Sequence, residues 1–220
     1  MYRIIDEALI DHRFEREKED ETSSFYIRES GESIRFVILH RLDSLATPSE
    51  LNYKINRSAP ESFQNNPAFK KNCDLICIHQ IDKLSDFKIL EEKIFEIEED
   101  PHHFKKYILY FSDAENSLIR GSSFKEIKEI ISDKNQFNNY KDDPLAPTKY
   151  SVAAKVFIKL PFIELPFKHS ELISLRLQAE ESVSEKNLSE TYELIKKANK
   201  NNIEDLVQEL IKHELENKTD

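Results

Sequence analysis

Short apolar runs alternate with long polar stretches along the chain. Phe36-Val37-Ile38-Leu39, Leu75-Ile76-Cys77-Ile78 and Tyr107-Ile108-Leu109-Tyr110-Phe111 are strand-sized. Segments 24–28 and 33–41 flank Glu29-Ser30-Gly31-Glu32, the pattern of a β-hairpin with a glycine in its loop. Residues 73–81 (Cys-Asp-Leu-Ile-Cys-Ile-His-Gln-Ile) predict a further strand, as do 107–111 and Tyr150–Phe157. Helical spacing shows first at Phe87, Leu90, Ile94 and Ile97, with Ser85 placed to cap and Pro101 to stop the helix. It recurs at Ile127, Ile130 and Ile131 behind Ser123, and at Ile203, Leu206, Val207, Leu210, Ile211 and Leu215. A short N-terminal helix is expected over Tyr2–Ile10, and terminal helices over Glu185–Asn199 and Asn202–Glu216 with a break near Lys200-Asn201. Asp11–Thr22 reads as a solvated polar segment and Gln136–Pro147 as loop. Arg41–Lys70, with Pro48, Pro60 and Pro67, reads as an irregular connection holding one helical turn after Thr47-Pro48-Ser49-Glu50.

This order of elements predicts an α+β (mixed α/β) fold with a central sheet and flanking helices. The α+β domain is expected over 1–168. A helical C-terminal segment over 169–220 would pack on it or on a partner.

Charge sharpens the picture. The net charge is −10, and charged residues make up 34% of the chain against about 25% in an average soluble domain. Half of that net charge lies on Ser85–Asp100, and most of the rest on Glu204–Asp220. Such segments are solvated helix faces or docking surfaces for a basic partner. A broad duplex-binding face is disfavoured, because that needs dense positive charge. The basic clusters are short: Lys70-Lys71, Lys105-Lys106 and Lys196-Lys197 with Lys200. No apolar run approaches the roughly 18 residues of a membrane span. The acids among the first residues oppose a secretory signal, and two cysteines point to a reducing, cytoplasmic compartment.

Candidate chemistry is sparse. Only 2 glycines occur, so a phosphate-cradling loop and a nucleophile elbow are both missing. No cofactor is expected. Cys73 and Cys77 on one strand face would lie roughly 13 Å apart at about 3.3 Å per residue, too far for one metal ion. They read as buried strand cysteines. His102-His103 after Glu98-Glu99-Asp100-Pro101 would need a special loop to share a metal. A restriction-type nuclease core would draw on Asp142, Asp143 and Lys155, but position 153 is Ala where such a core needs an acid. No small-molecule substrate or catalytic residue is therefore expected.

Glu92–Phe111 (EKIFEIEEDPHHFKKYILYF), with the Asp74–Ile78 strand and the Lys83–Leu90 join before it, resembles the middle components of three-component ABC-ATPase systems. These are bacterial defence operons of the Lamassu type, similar to the plasmid-eliminating Ddm systems. The two histidines stand where aromatic residues such as tyrosine are expected. The resemblance covers residues 70–115. It implies a non-catalytic accessory or scaffold subunit whose partners are an SMC-like ATPase and an effector, often a nuclease, with DNA reached through the complex. An acidic antitoxin or immunity-type binder and a Mg-dependent nuclease are the alternatives. The candidate partner contacts are Glu98, Glu99, Asp100, Pro101, His102, His103, Phe104, Lys105 and Lys106, together with Leu206 and Leu210 of the last helix.

Overall fold

The computed structural model describes residues 1–166, 175–186, 188–196 and 203–216. The chain divides into two compact units, Met1–Pro166 and Phe167–Asp220. The first holds a five-stranded sheet in the order β1-β2-β3-β4-β5, so the α+β expectation holds. Its elements run α1 (Tyr2–Asp11), β1 (Glu15–Glu19), β2 (Ser23–Ser30), β3 (Ser33–Leu42), α2 (Pro48–Ser58), α3 (Glu61–Gln64) and β4 (Cys73–Ile81). A 3-10 turn (Leu84–Asp86) then leads to α4 (Phe87–Glu98), β5 (Lys105–Ser112), α5 (Asp113–Leu118), α6 (Phe124–Ile131), α7 (Lys134–Asp142) and α8 (Lys149–Lys159). Strands β1, β2 and β3 are antiparallel; β3, β4 and β5 are parallel.

The parallel half explains the unbroken apolar runs. A strand covered on both faces has no polar side to alternate with. Phe36, Ile38, Leu75, Cys77 and Ile108 face a core shared with α2, α3 and α4. Val37, Leu39, Ile76, Ile78 and Leu109 face the opposite core, shared with α1, α6 and α8. The first core is built on aromatic edges: Phe36 and Phe63 ring centroids lie 4.7 Å apart, and Phe69 joins Phe36 at 5.4 Å and Phe104 at 5.3 Å. The β2–β3 hairpin closes through Gly31 and Glu32, with Ser30 opposite Ser33 and Gly31 at φ 58°. Glycine at the first turn position takes that positive φ without a Cβ penalty.

Several segments differ from the sequence reading, each for a visible reason. The polar Asp11–Thr22 segment contains β1. All five of its residues are exposed, because an edge strand can pair through backbone alone and keep charge outward. Arg41–Lys70 holds the eleven-residue α2, started by a Thr47–Glu50 capping box with Pro48 in the first turn. The 84–98 helix begins after a 3-10 turn, and Asp86 rather than Ser85 holds its N-cap position. Gln136–Pro147 contains most of α7, capped by Asp133. Tyr150–Phe157 is not a strand but lies in α8. A Thr148–Ser151 capping box starts the helix, and Val152, Val156 and Leu160 turn inward at helical spacing.

The second unit contains α9 (Leu175–Glu185), α10 (Ser189–Lys196) and α11 (Ile203–Glu216). Lys196 bridges Glu180 and Glu193 across α9 and α10. Within α11, Ile203, Val207 and Ile211 are exposed. The expected break at Lys200-Asn201 and the end of the helix at 197–199 lie outside the described residues, as does the side chain of Leu206.

Candidate functional site

The region 98–106 joins α4 to β5 at the N-terminal edge of the parallel strands. It sorts into an inward half and an outward half. Inward are Glu98, Asp100, Phe104 and Lys106. Phe104 is buried in the aromatic core. The Lys106 ammonium is fully enclosed and pairs with Asp100 Oδ2 at 2.7 Å. It also donates to the His102 carbonyl at 2.6 Å and the Phe104 carbonyl at 3.1 Å. Asn52 on α2 donates to the same Asp100 oxygen at 2.9 Å, and the His102 ring lies 2.8 Å from the other. Burial alone would raise the Asp100 pKa; the hydrogen bonds from Lys106, His102 and Asn52 win and hold its carboxyl well below the usual range.

Two carbonyls grasped by Lys106 flank His103. That residue takes φ 64°, the left-handed region that side chains rarely adopt. One buried ammonium thus fixes a strained residue and turns it outward. Burial first, then the charges of Lys70 and Lys106, lower the His103 pKa from its ordinary value.

Glu98 closes the sheet edge. Its Oε1 accepts the Ile108 backbone N–H at 2.7 Å and pairs with Lys159 of α8 at 2.5 Å. A carboxylate thereby occupies a donor that the edge strand would otherwise leave open.

Outward are Glu99, Pro101, His102, His103 and Lys105, all exposed. Glu99, Pro101, His103 and Lys105 border a groove of about 750 Å³, to which Lys70 and Lys71 also contribute. An adjoining cavity of about 500 Å³ shares Lys70, Asp100 and His103 and adds Tyr53, Asn52 and His102. Of the proposed contacts on α11, Leu210 is partly buried. The sequence reading did not assign a site role to Asn52, Tyr53 or Lys159. They come from elements distant in the chain, and no local spacing signals them.

The other candidate clusters are structural. Cys73 and Cys77 are free and buried, and burial pushes both thiols up. The His79 ring lies 2.9 Å from the Leu42 carbonyl. The strand pairing that a restriction-type nuclease would need at Lys155 is not formed. Lys155 sits on α8 and pairs with the enclosed Glu115 at 2.7 Å, while Asp142 and Asp143 lie at the end of α7. Ser151 also donates to Glu115 at 2.6 Å, so this carboxylate ties α5 to α8. Among the described residues, no three His, Cys, Asp or Glu side chains converge as a metal site requires. No helix among them is long and apolar enough to cross a membrane.

Residues 34–138, a little under half of the chain, match the family model of the ABC-three component (ABC-3C) system Middle Component 1. The span runs from β3 to α7 and includes the whole 98–106 region. The resemblance to a middle component read from the sequence therefore holds, over a longer stretch than residues 70–115. The match supports an accessory component of an ABC-ATPase three-component system. No curated protein and no solved structure matches the chain.

Proposed function

We propose that this chain is a non-catalytic scaffold subunit of an SMC-like ATPase defence complex, of the Lamassu or Ddm kind. It joins the ATPase to an effector nuclease and acts against phage or plasmid DNA in the cytoplasm. The observation that carries the reading is the middle-component match over residues 34–138. Two surfaces suit docking. One is the outer side of α4, where exposed Glu92 and Glu96 run into Glu99 and Pro101, complementary to a basic partner. The other is α11, with its exposed Ile203, Val207 and Ile211 and its partly buried Leu210.

Affinity purification of the tagged chain from its native operon, followed by mass identification, tests this. An ABC ATPase in the eluate is the expected result. Recovery of a lone toxin instead would favour the antitoxin reading and refute the scaffold.

A further inference from the structure

The groove at the 98–106 region carries an excess of unspent positive charge on an acidic protein. Lys70, Lys71 and Lys105 are exposed, and none has a carboxylate within ion-pair distance among the described residues. The acids beside them are mostly neutralised from within the fold: Glu98 by Lys159 and Asp100 by Lys106. Glu99 is the one lining acid left unpaired there. Arg35, which lines a neighbouring cavity with Lys71 and Lys105, is tied to Asp74 at 2.7 Å, and no guanidinium among the described residues lines the groove itself to select a carboxylate.

Rings share a cavity with Lys70. The adjoining cavity is bordered by Tyr53, 67% exposed, and by the exposed His102 and His103. Tyr53 is exposed on α2, and His103 takes a positive φ between the two carbonyls that Lys106 holds. Asn52 lines the same cavity with a buried Oδ1 that has no hydrogen-bond partner, although the residue is only 6% exposed.

We propose that this groove and the cavity adjoining it bind single-stranded nucleic acid, with Lys70, Lys71 and Lys105 on the phosphates and Tyr53, His102 and His103 stacking on unpaired bases. Point charges on flexible stems suit a phosphodiester backbone, and exposed rings add energy only where bases are unstacked. Three lysines on a chain of net charge −10 do not make a duplex-binding face. The inference stands on the groove itself and does not depend on which complex the chain joins.

Fluorescence anisotropy of the purified full chain with a labelled oligothymidylate tests it, read from low to moderate salt. Saturable binding is expected, with a log–log salt slope of about −2 for three phosphate contacts on a single strand. The variant K70E/K71E/K105E should weaken binding at least tenfold. Tyr53→Ala should weaken it about fivefold or more, with the salt slope retained. All four positions are exposed, and circular dichroism checks that the fold survives. Absence of saturable binding, a triple variant that binds like wild type, or equal affinity for a blunt duplex would overturn the proposal. So would displacement by polyglutamate at concentrations where unlabelled oligothymidylate fails, which would indicate an acidic peptide as the occupant. Failure here leaves the co-purification result of the preceding section unaffected.

Discussion

Replacing Lys106 with Met probes how the 98–106 region is built. The ammonium is fully enclosed and pairs with an Asp100 side chain that is 12% exposed. Lys106→Met keeps the aliphatic stem but removes the charge. Asp100 would retain only Asn52 and His102 as partners, and the His102 and Phe104 carbonyls would lose their donor. Removing one member of a buried pair costs about 3–5 kcal/mol, mainly because the other charge remains desolvated. For a chain of this size that lowers Tm by about 10 °C. Tyrosine fluorescence is a suited readout, since the chain has no Trp and only Tyr192 of its tyrosines lies in the second unit. The double variant D100N/K106M should recover a large part of the loss, because no unpaired charge is left inside. A loss below about 1 kcal/mol in the single variant, the range of an exposed pair, would refute the clamp. Charge reversal at Glu98 or Asp100 would likewise strike the fold, so Glu99 is the acid at which docking can be tested cleanly.

Two further predictions concern the first unit. The buried His40 ring bonds to Ser23 Oγ at 2.8 Å, and burial, then the Lys54 charge, lowers its pKa from 6.5 to about 4. Its charged form is disfavoured in the fold, so the unfolded chain binds more protons between these values and stability falls as pH drops from 6.5 toward 4. The drop corresponds to about 3 kcal/mol, and urea titrations should show it in wild type and a shallower slope in His40→Asn; equal slopes would contradict the assignment. Thr148→Ala removes the α8 cap and should cost about 1 kcal/mol in the same titrations, whereas no loss would argue against Thr148 as the start of a helix.

How far the sequence carried depended on what kind of burial each segment has. β3, β4 and β5 were legible because both faces are covered and their runs are uniformly apolar. α4 and α6 were legible from their stripes and, for α6, from Ser123. β1 was not, since an edge strand of Glu, Arg and Lys buries no side chain to set a period. α8 was misread because Val152, Val156 and Phe157 favour strands in isolation, while the cap at Thr148 and the enclosed pair with Glu115 decide the conformation. At the candidate site, the chemistry of 98–106 was visible but its orientation was not. Which charges are spent internally depends on Asn52 and Lys159, which only the folded chain brings near.

Co-expression of the chain with its operon partners, followed by size-exclusion chromatography with light scattering, tests the scaffold reading most directly. The account predicts one assembly containing this chain and an ABC ATPase, weakened by Glu99→Lys or by aspartates at Ile203, Val207 and Ile211. Elution of the chain as a separate species, with the ATPase assembled without it, would contradict the account.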